Sequence, residues 1–277
     1  MFVREHWRRD AACVARAAAD VDLPSLIYFK QVTPPADLAT GASLTVHVEE
    51  LAKTIDHTLL QPDTTSADVE RLCQEAAKYH FAAVCVFPHF VPQAHDLLKT
   101  RDVKVCSVIS FPFGADSVRA KVVGAETAVA QGADEIDVVM NMPAMLSGDI
   151  GYVRNELSSI VRHVRMKAVN SGRGQTVIKV IIETCYLTNK MKKLACHIVE
   201  QIGADFVKTS TGLGPRGATV QDVELLRDSL DERVGVKASG GIRTFRDVEL
   251  MINAGAARIG TSAGCTIMED YIESHAG

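Results

Sequence analysis

The sequence contains no C-x-x-C pair, no uncharged apolar run long enough to cross a bilayer, and no excess of basic charge. Its seven cysteines, Cys13, Cys73, Cys85, Cys106, Cys185, Cys196 and Cys265, are odd in number and widely scattered. That argues against a disulfide framework and for a reduced, cytoplasmic protein. No apolar stretch approaches the ~18 residues of a membrane span. The segment MFVREHWRRDAACVARAAAD lacks the apolar core of a secretory signal. Its four arginines suggest a transit peptide only faintly, because Glu5, Asp10 and Asp20 interrupt them. A net charge of -4 provides no field that would gather nucleic acid or anionic lipid, so neither partner is expected. There is no dinucleotide fingerprint, no P-loop and no H-E-x-x-H helix. His57, His89 and His95 therefore read as structural or solvent-facing, and Cys85 as a small buried hydrophobe.

What is present is material for one large core. The 277 residues are 47% hydrophobic and 23% charged, near the averages of about 45–50% and about 25% for globular chains. Residues 1–45 read as an N-terminal extension, an Ala/Arg-rich helix followed by a Pro- and Gly-marked irregular connection. From residue 46 to 277 one unit recurs: a short β-branched run, a polar turn, then an amphipathic helix. The runs are Thr54–Leu59, Ala82–Phe87, Val103–Ile109, Glu135–Met140, Val177–Ile182, Phe206–Thr209, Val234–Ala238 and Arg258–Gly260. In SADVERLCQEAAKYH the apolar residues Val69, Leu72, Cys73 and Ala76 fall on one helical face, with Ser66 as the expected N-cap. The pairs Gly132-Ala133, Gly203-Ala204 and Gly255-Ala256 are the expected helix stops. Eight βα units with nearly continuous apolar strands predict an α/β fold, a (β/α)8 TIM barrel of parallel strands covered by helices. A doubly wound open sheet is the alternative, but the turn after the first run is QPDTTS rather than glycine-rich.

Charges inside apolar strands carry the chemistry. Lys208 in DFVKTSTG and Lys237 in VGVKASGG lie one βα repeat apart, so adjacent strands would present both amines to one cavity. A lone strand lysine often just snorkels or pairs with an acid. Two held close repel each other's charge, which makes one of them lose its proton more easily. An ordinary lysine, with a pKa of about 10.4, is neutral in only about one molecule in 2,500 at pH 7, and reaching a pKa of about 7 is worth roughly 4.6 kcal/mol. A neutral lysine in a cleft is a Schiff-base nucleophile. Asp137 alternates with Ile136 and Val138 and so faces the barrel axis, either as a salt-bridge anchor or as a proton shuttle. Asp134 and Glu135 read as solvated. Asp56 and Thr58 end the first strand and are expected to line the cavity, while Lys179 and Glu183 on the fifth are expected to join one polar network.

Glycine turns follow the last three strands: Thr209–Gly217, Ser239–Thr244 and Gly260–Gly264. Barrel loops there often bind phosphate through backbone N–H groups and a helix N-terminus. Gly212, Gly240, Gly241, Gly260 and Ser262 are the candidates, with Arg216 or Arg243 as a basic helper.

IDHTLLQPDTT, AAVCVFP, GADEIDVVMN, VIKVIIET, GADFVKTSTG, GPRGATVQDVELLR, VGVKASGGIRTF and AGAARIGTSAG together resemble bacterial deoxyribose-phosphate aldolases over about residues 46–268. The resemblance implies metal-free, cofactor-free class I cleavage of 2-deoxy-D-ribose 5-phosphate into glyceraldehyde 3-phosphate and acetaldehyde. Lys208 would form the imine, Lys237 would lower its pKa, and Asp137 would move the proton. A phosphorylated sugar is the implied partner, and a homodimer or homotetramer is compatible. The sequence departs from the family at Phe87, at Met142 and Pro143, and at Ala263. The alternatives are a Schiff-base aldolase for another phosphorylated sugar and a non-catalytic barrel that serves as a binding partner.

Overall fold

The computed structural model describes residues 48–172 and 174–275. The expected extension at residues 1–45 lies outside them. A short helix, α1 (Val48–Ala52), precedes β1 (Ile55–Thr58). Next come α2 (Ser66–Tyr79), β2 (Ala83–Val86), α3 (Val91–Leu98), β3 (Lys104–Ile109) and α4 (Val118–Gln131). β4 (Glu135–Val139) leads to a short α5 (Met142–Leu146) and the long α6 (Ile150–Asn170). β5 (Val177–Ile181), α7 (Asn189–Ile202), β6 (Phe206–Lys208) and α8 (Val220–Asp228) follow. The chain closes with β7 (Gly235–Ser239), α9 (Phe245–Asn253), β8 (Arg258–Thr261) and α10 (Gly264–Ser274).

Every apolar run overlaps a strand, with β7 and β8 each extending one residue past the expected run, and all eight pair in parallel in chain order. β1 pairs with β2 and also with β8, where Asp56 lies opposite Gly260. That second pairing closes the barrel and excludes the open-sheet alternative. Among the described residues no helix is long and apolar enough to cross a membrane.

Two-residue alternation sorts each strand. Val84, Val86, Ile136, Val138, Ile178, Val180, Val207, Val236 and Ala238 point outward into the layer beneath the helices. On α2 the predicted stripe Val69, Leu72, Cys73 and Ala76 is buried in that layer. Its N-cap is Thr65 rather than Ser66, because Asp68 stands three residues after Thr65 and completes a reciprocal capping box. Gly132 and Gly203 are C-caps as expected, whereas Gly255 stands one residue past the cap Ala254. Facing inward, Ala83, Cys85, Cys106 and Val108 form a small apolar cluster with Leu60 on the β2–β3 side. Charged side chains occupy much of the remaining interior, alongside the buried Val139, Ile181 and Phe206.

Candidate active site

Inward positions on six strands carry ionisable side chains: Asp56 on β1, Glu135 and Asp137 on β4, Lys179 on β5, Lys208 on β6, Lys237 on β7 and Arg258 on β8. Lys208 and Lys237 are direct register partners, at the matching height expected of them. Both donate to one oxygen, Asp137 Oδ2, at 2.8 and 2.7 Å. The other oxygen, Oδ1, accepts from Lys179 at 2.8 Å. Asp137 is thus shared by three lysines, on a strand that otherwise holds Glu135, Ile136, Val138 and Val139.

The contacts close into a ring. Arg258 donates through both Nε and Nη2 to Asp56 Oδ1 and through Nη2 to Glu135 Oε2 at 3.0 Å. Glu135 Oε2 accepts from Lys179 at 2.5 Å, and Lys179 reaches Asp137. From Asp137 the ring returns through Lys237 to Asp56 Oδ2, and so to Arg258. Cations and carboxylates alternate, three of each. Lys208 hangs outside this balanced circuit, with Asp137 as its one ion-pair partner among the described residues. Its side chain keeps 3% exposure, while those of Lys179 and Lys237 keep none.

Charge states follow from the competition between burial and neighbours. Burial would raise the Asp137 carboxyl, but Lys179, Lys208 and Lys237 override it and hold it well below the usual carboxylate range. Burial likewise opposes charge on Asp56, where Arg258, Lys237 and Lys179 prevail and keep it ionised. Burial disfavours the charge on Lys237, yet Asp137 and Asp56 push its pKa above that of a free amine. Burial likewise opposes the charge on Lys179, whose pKa Asp137, Glu135 and Asp56 raise well above that of a free amine. Cys106, 3.1 Å from Asp137 Oδ1, has its thiol pushed up by burial and stays neutral.

Several expectations need correction. Glu135 is 3% exposed and inside the ring, and Asp134 accepts from the Val105 amide, so neither is simply solvated. Glu183 does not join Lys179. Its backbone turns left-handed (φ 47) just beyond β5, and its carboxylate accepts from the Thr211 amide and hydroxyl. Gly260 lies within β8, not in the turn, and a Cβ there would sit 2.9 Å from Ser239 Cβ and 3.1 Å from Lys237 Cε. Its missing side chain makes room for Lys237. Arg258 joins the site from the start of the eighth run, and a charge opening an apolar strand is the only sequence signal that marks it.

The glycine loops do converge. Gly212 (φ 86), Gly240 (φ 88) and Gly241 (φ 82) adopt positive φ after β6 and β7. A Cβ on Gly217 would lie 2.1 Å from the Gly240 carbonyl oxygen, so the two loops touch backbone to backbone. The N-terminus of α9 is occupied by its own Thr244–Asp247 capping box. That of α10 has no side-chain cap, because Ala263 stands at the cap position, with exposed Ser262 before it. Arg216 and Arg243 are exposed on the loops after β6 and β7. Thr58 donates to the backbone carbonyl of Asp56 at 2.8 Å. Phe87 packs edge-on against Phe111 beside the Cys85–Cys106 cluster. Met142 and Pro143 form the first turn of α5, capped by Asn141, whose amide is held by Glu156.

A profile of the DeoC/LacD family of aldolases matches residues 51–269. The chain belongs to the DeoC/LacD aldolase family. A family member from Thermoanaerobacter sp. (strain X514), named deoxyribose-phosphate aldolase, is 53% identical over 221 residues, covering 80% of this chain and 96% of that one. Another of the same name, from Carboxydothermus hydrogenoformans, is 48% identical over 223 residues, with the same coverage. Among solved structures, QR15, described as an aldolase, superposes with TM-score 0.75 at 40% identity, covering 82% of this chain and 97% of that one. The Aeropyrum pernix deoxyribose phosphate aldolase, described as tetrameric, superposes with TM-score 0.74 at 35% identity, covering 83% and 94%.

Proposed function

We infer that this chain is a deoxyribose-phosphate aldolase that reversibly cleaves 2-deoxy-D-ribose 5-phosphate to D-glyceraldehyde 3-phosphate and acetaldehyde, with Lys208 as the imine-forming amine. The observation that carries the assignment of Lys208 is its place outside the balanced ring. Lys179, Lys237 and Arg258 each have at least two carboxylate partners, whereas Lys208 shares one with two other lysines. The other three cations are each tied to the carboxylates of the ring, which leaves Lys208 as the amine that the ring does not need.

The chemistry is then a sequence of proton movements around Asp137. The neutral Lys208 amine attacks the aldehyde carbon of the open-chain sugar and gives a carbinolamine. A proton delivered from the Lys237–Asp137 pair lets its hydroxyl leave as water, and the imine forms. Loss of the proton from the C3 hydroxyl breaks the C2–C3 bond, releasing glyceraldehyde 3-phosphate and leaving an enamine on Lys208. Protonation of that enamine at C2 and hydrolysis of the resulting imine release acetaldehyde and restore the amine.

For the phosphate, the N-terminus of α10 with Ser262 and the positive-φ glycines of the β6 and β7 loops supply backbone N–H donors at one end of the barrel. Gly217→Ala tests this arrangement. The added methyl displaces the β7 loop at Gly240 and is expected to raise KM for deoxyribose 5-phosphate about tenfold, roughly 1.4 kcal/mol. kcat/KM for unphosphorylated 2-deoxyribose is expected to stay unchanged. A parallel loss on both substrates argues against a phosphate role for these loops.

Borohydride reduction in the presence of acetaldehyde, followed by peptide mass mapping, tests the reaction itself. An ethyl adduct on Lys208 is expected; no adduct on the native protein favours the non-catalytic barrel. Turnover compared on deoxyribose 5-phosphate, ribose 5-phosphate and fructose phosphates separates the first substrate from other sugars.

A further inference from the structure

We propose that Arg258 and Glu135, neither of which contacts Lys208, are positioning residues whose charges set the balance of the cavity and with it the pH range in which Lys208 reacts. The proposal rests on the assignment of Lys208 as the imine-forming amine.

Two branches leave Arg258 and meet at Asp137. One runs through Asp56 and Lys237 to Oδ2, the other through Glu135 and Lys179 to Oδ1. Fixing Asp56 Oδ1 on the guanidinium leaves Oδ2 for Lys237. Fixing Glu135 beside it aims Oε2 at Lys179. The planar fork of arginine suits this, since Nε and Nη2 meet one carboxylate while Nη2 bridges to the next. The ionisable groups facing the cavity are Asp56 on β1, Cys85 on β2, Cys106 on β3, Glu135 and Asp137 on β4, Lys179 on β5, Lys208 on β6, Lys237 on β7 and Arg258 on β8. Counted over the lysines, arginine and carboxylates, four cations face three carboxylates. Neutral Lys208 therefore leaves the cluster balanced, and charged Lys208 leaves it one positive. Removing a ring charge shifts that balance through space at low dielectric, without touching the reacting amine.

Borohydride trapping of acetaldehyde on Lys208, measured as a rate against pH, reads the effect. Arg258→Met leaves the ring one negative and so provides the Lys208 ammonium with a counter-charge. The midpoint of the trapping profile is expected to rise by about one pH unit, with trapping at neutral pH slowed about tenfold. Glu135→Gln is expected to move it the opposite way. The double variant Arg258→Met/Glu135→Gln removes one charge of each sign, and its midpoint is expected to return close to that of the native enzyme although more contacts are lost. Arg258→Lys keeps the charge and is expected to hold the native midpoint, which covers the case in which Arg258→Met fails to fold. A midpoint unmoved in Arg258→Met and Glu135→Gln, or a double variant shifted as far as Arg258→Met, overturns the proposal and leaves the pair a purely structural role. An absent adduct on the native enzyme instead overturns the Lys208 assignment, and the proposal with it.

Discussion

Lys208→Leu is expected to lower cleavage of deoxyribose 5-phosphate by at least about 10⁴-fold, the scale seen when a covalent nucleophile is removed. No neighbouring amine stands ready to replace it. Lys237 and Lys179 are wholly buried, and each is engaged by several carboxylates that keep it protonated. The fold is expected to survive, for a reason specific to this cavity. Leucine removes the one cation that the alternating ring does not balance, and replacing an under-compensated buried charge with an apolar side chain is often neutral or stabilising. Circular dichroism should give a thermal midpoint at or above the native value, while borohydride trapping yields no adduct. An adduct on Lys237, or cleavage above about one per cent of native, identifies a different nucleophile and overturns the assignment of Lys208.

Lys237→Leu differs in both respects. The ring loses a member, so Asp56 keeps Arg258 and Lys179 while Asp137 keeps Lys179 and Lys208. A carboxylate left short of compensation in the interior costs roughly 3–5 kcal/mol, and the thermal midpoint is expected to fall. Loss of the proton relay is expected to reduce kcat by about 10²–10⁴-fold with a smaller change in KM. The activity optimum is expected to move to higher pH, because two ring cations then face three carboxylates and the Lys208 ammonium gains a counter-charge. The sign of that shift is what matters. An unchanged optimum separates the relay function of Lys237 from any influence on its neighbour and counts against the charge-balance argument.

The parts of this molecule legible in the sequence are those with a local signal. Two-residue alternation placed Asp137 on the inner face, and the one-repeat spacing of Lys208 and Lys237 placed the amines side by side, as their register pairing bears out. Glu135 was misread because it opens its strand next to Asp134, where alternation does not distinguish a barrel interior from solvent. Its partner Arg258 is 123 residues away. Glu183 was misassigned because strand alternation stops at Ile181, and a left-handed residue then swings its carboxylate to Thr211. Gly260 gave the signal of a turn, but strand pairing carried it into β8 beside Lys237.

The order of runs and helices, read from the chain alone, was enough to determine a parallel barrel and to put three charged side chains at its centre. Periodicity and burial act over neighbouring residues, so the sequence carries them openly. Only the tertiary structure decided that three cations and three carboxylates close into a balanced circuit and that Lys208 is the amine left over. That sign is a sum over side chains from six strands, and electrostatic energy depends on distances that exist only once the barrel has closed.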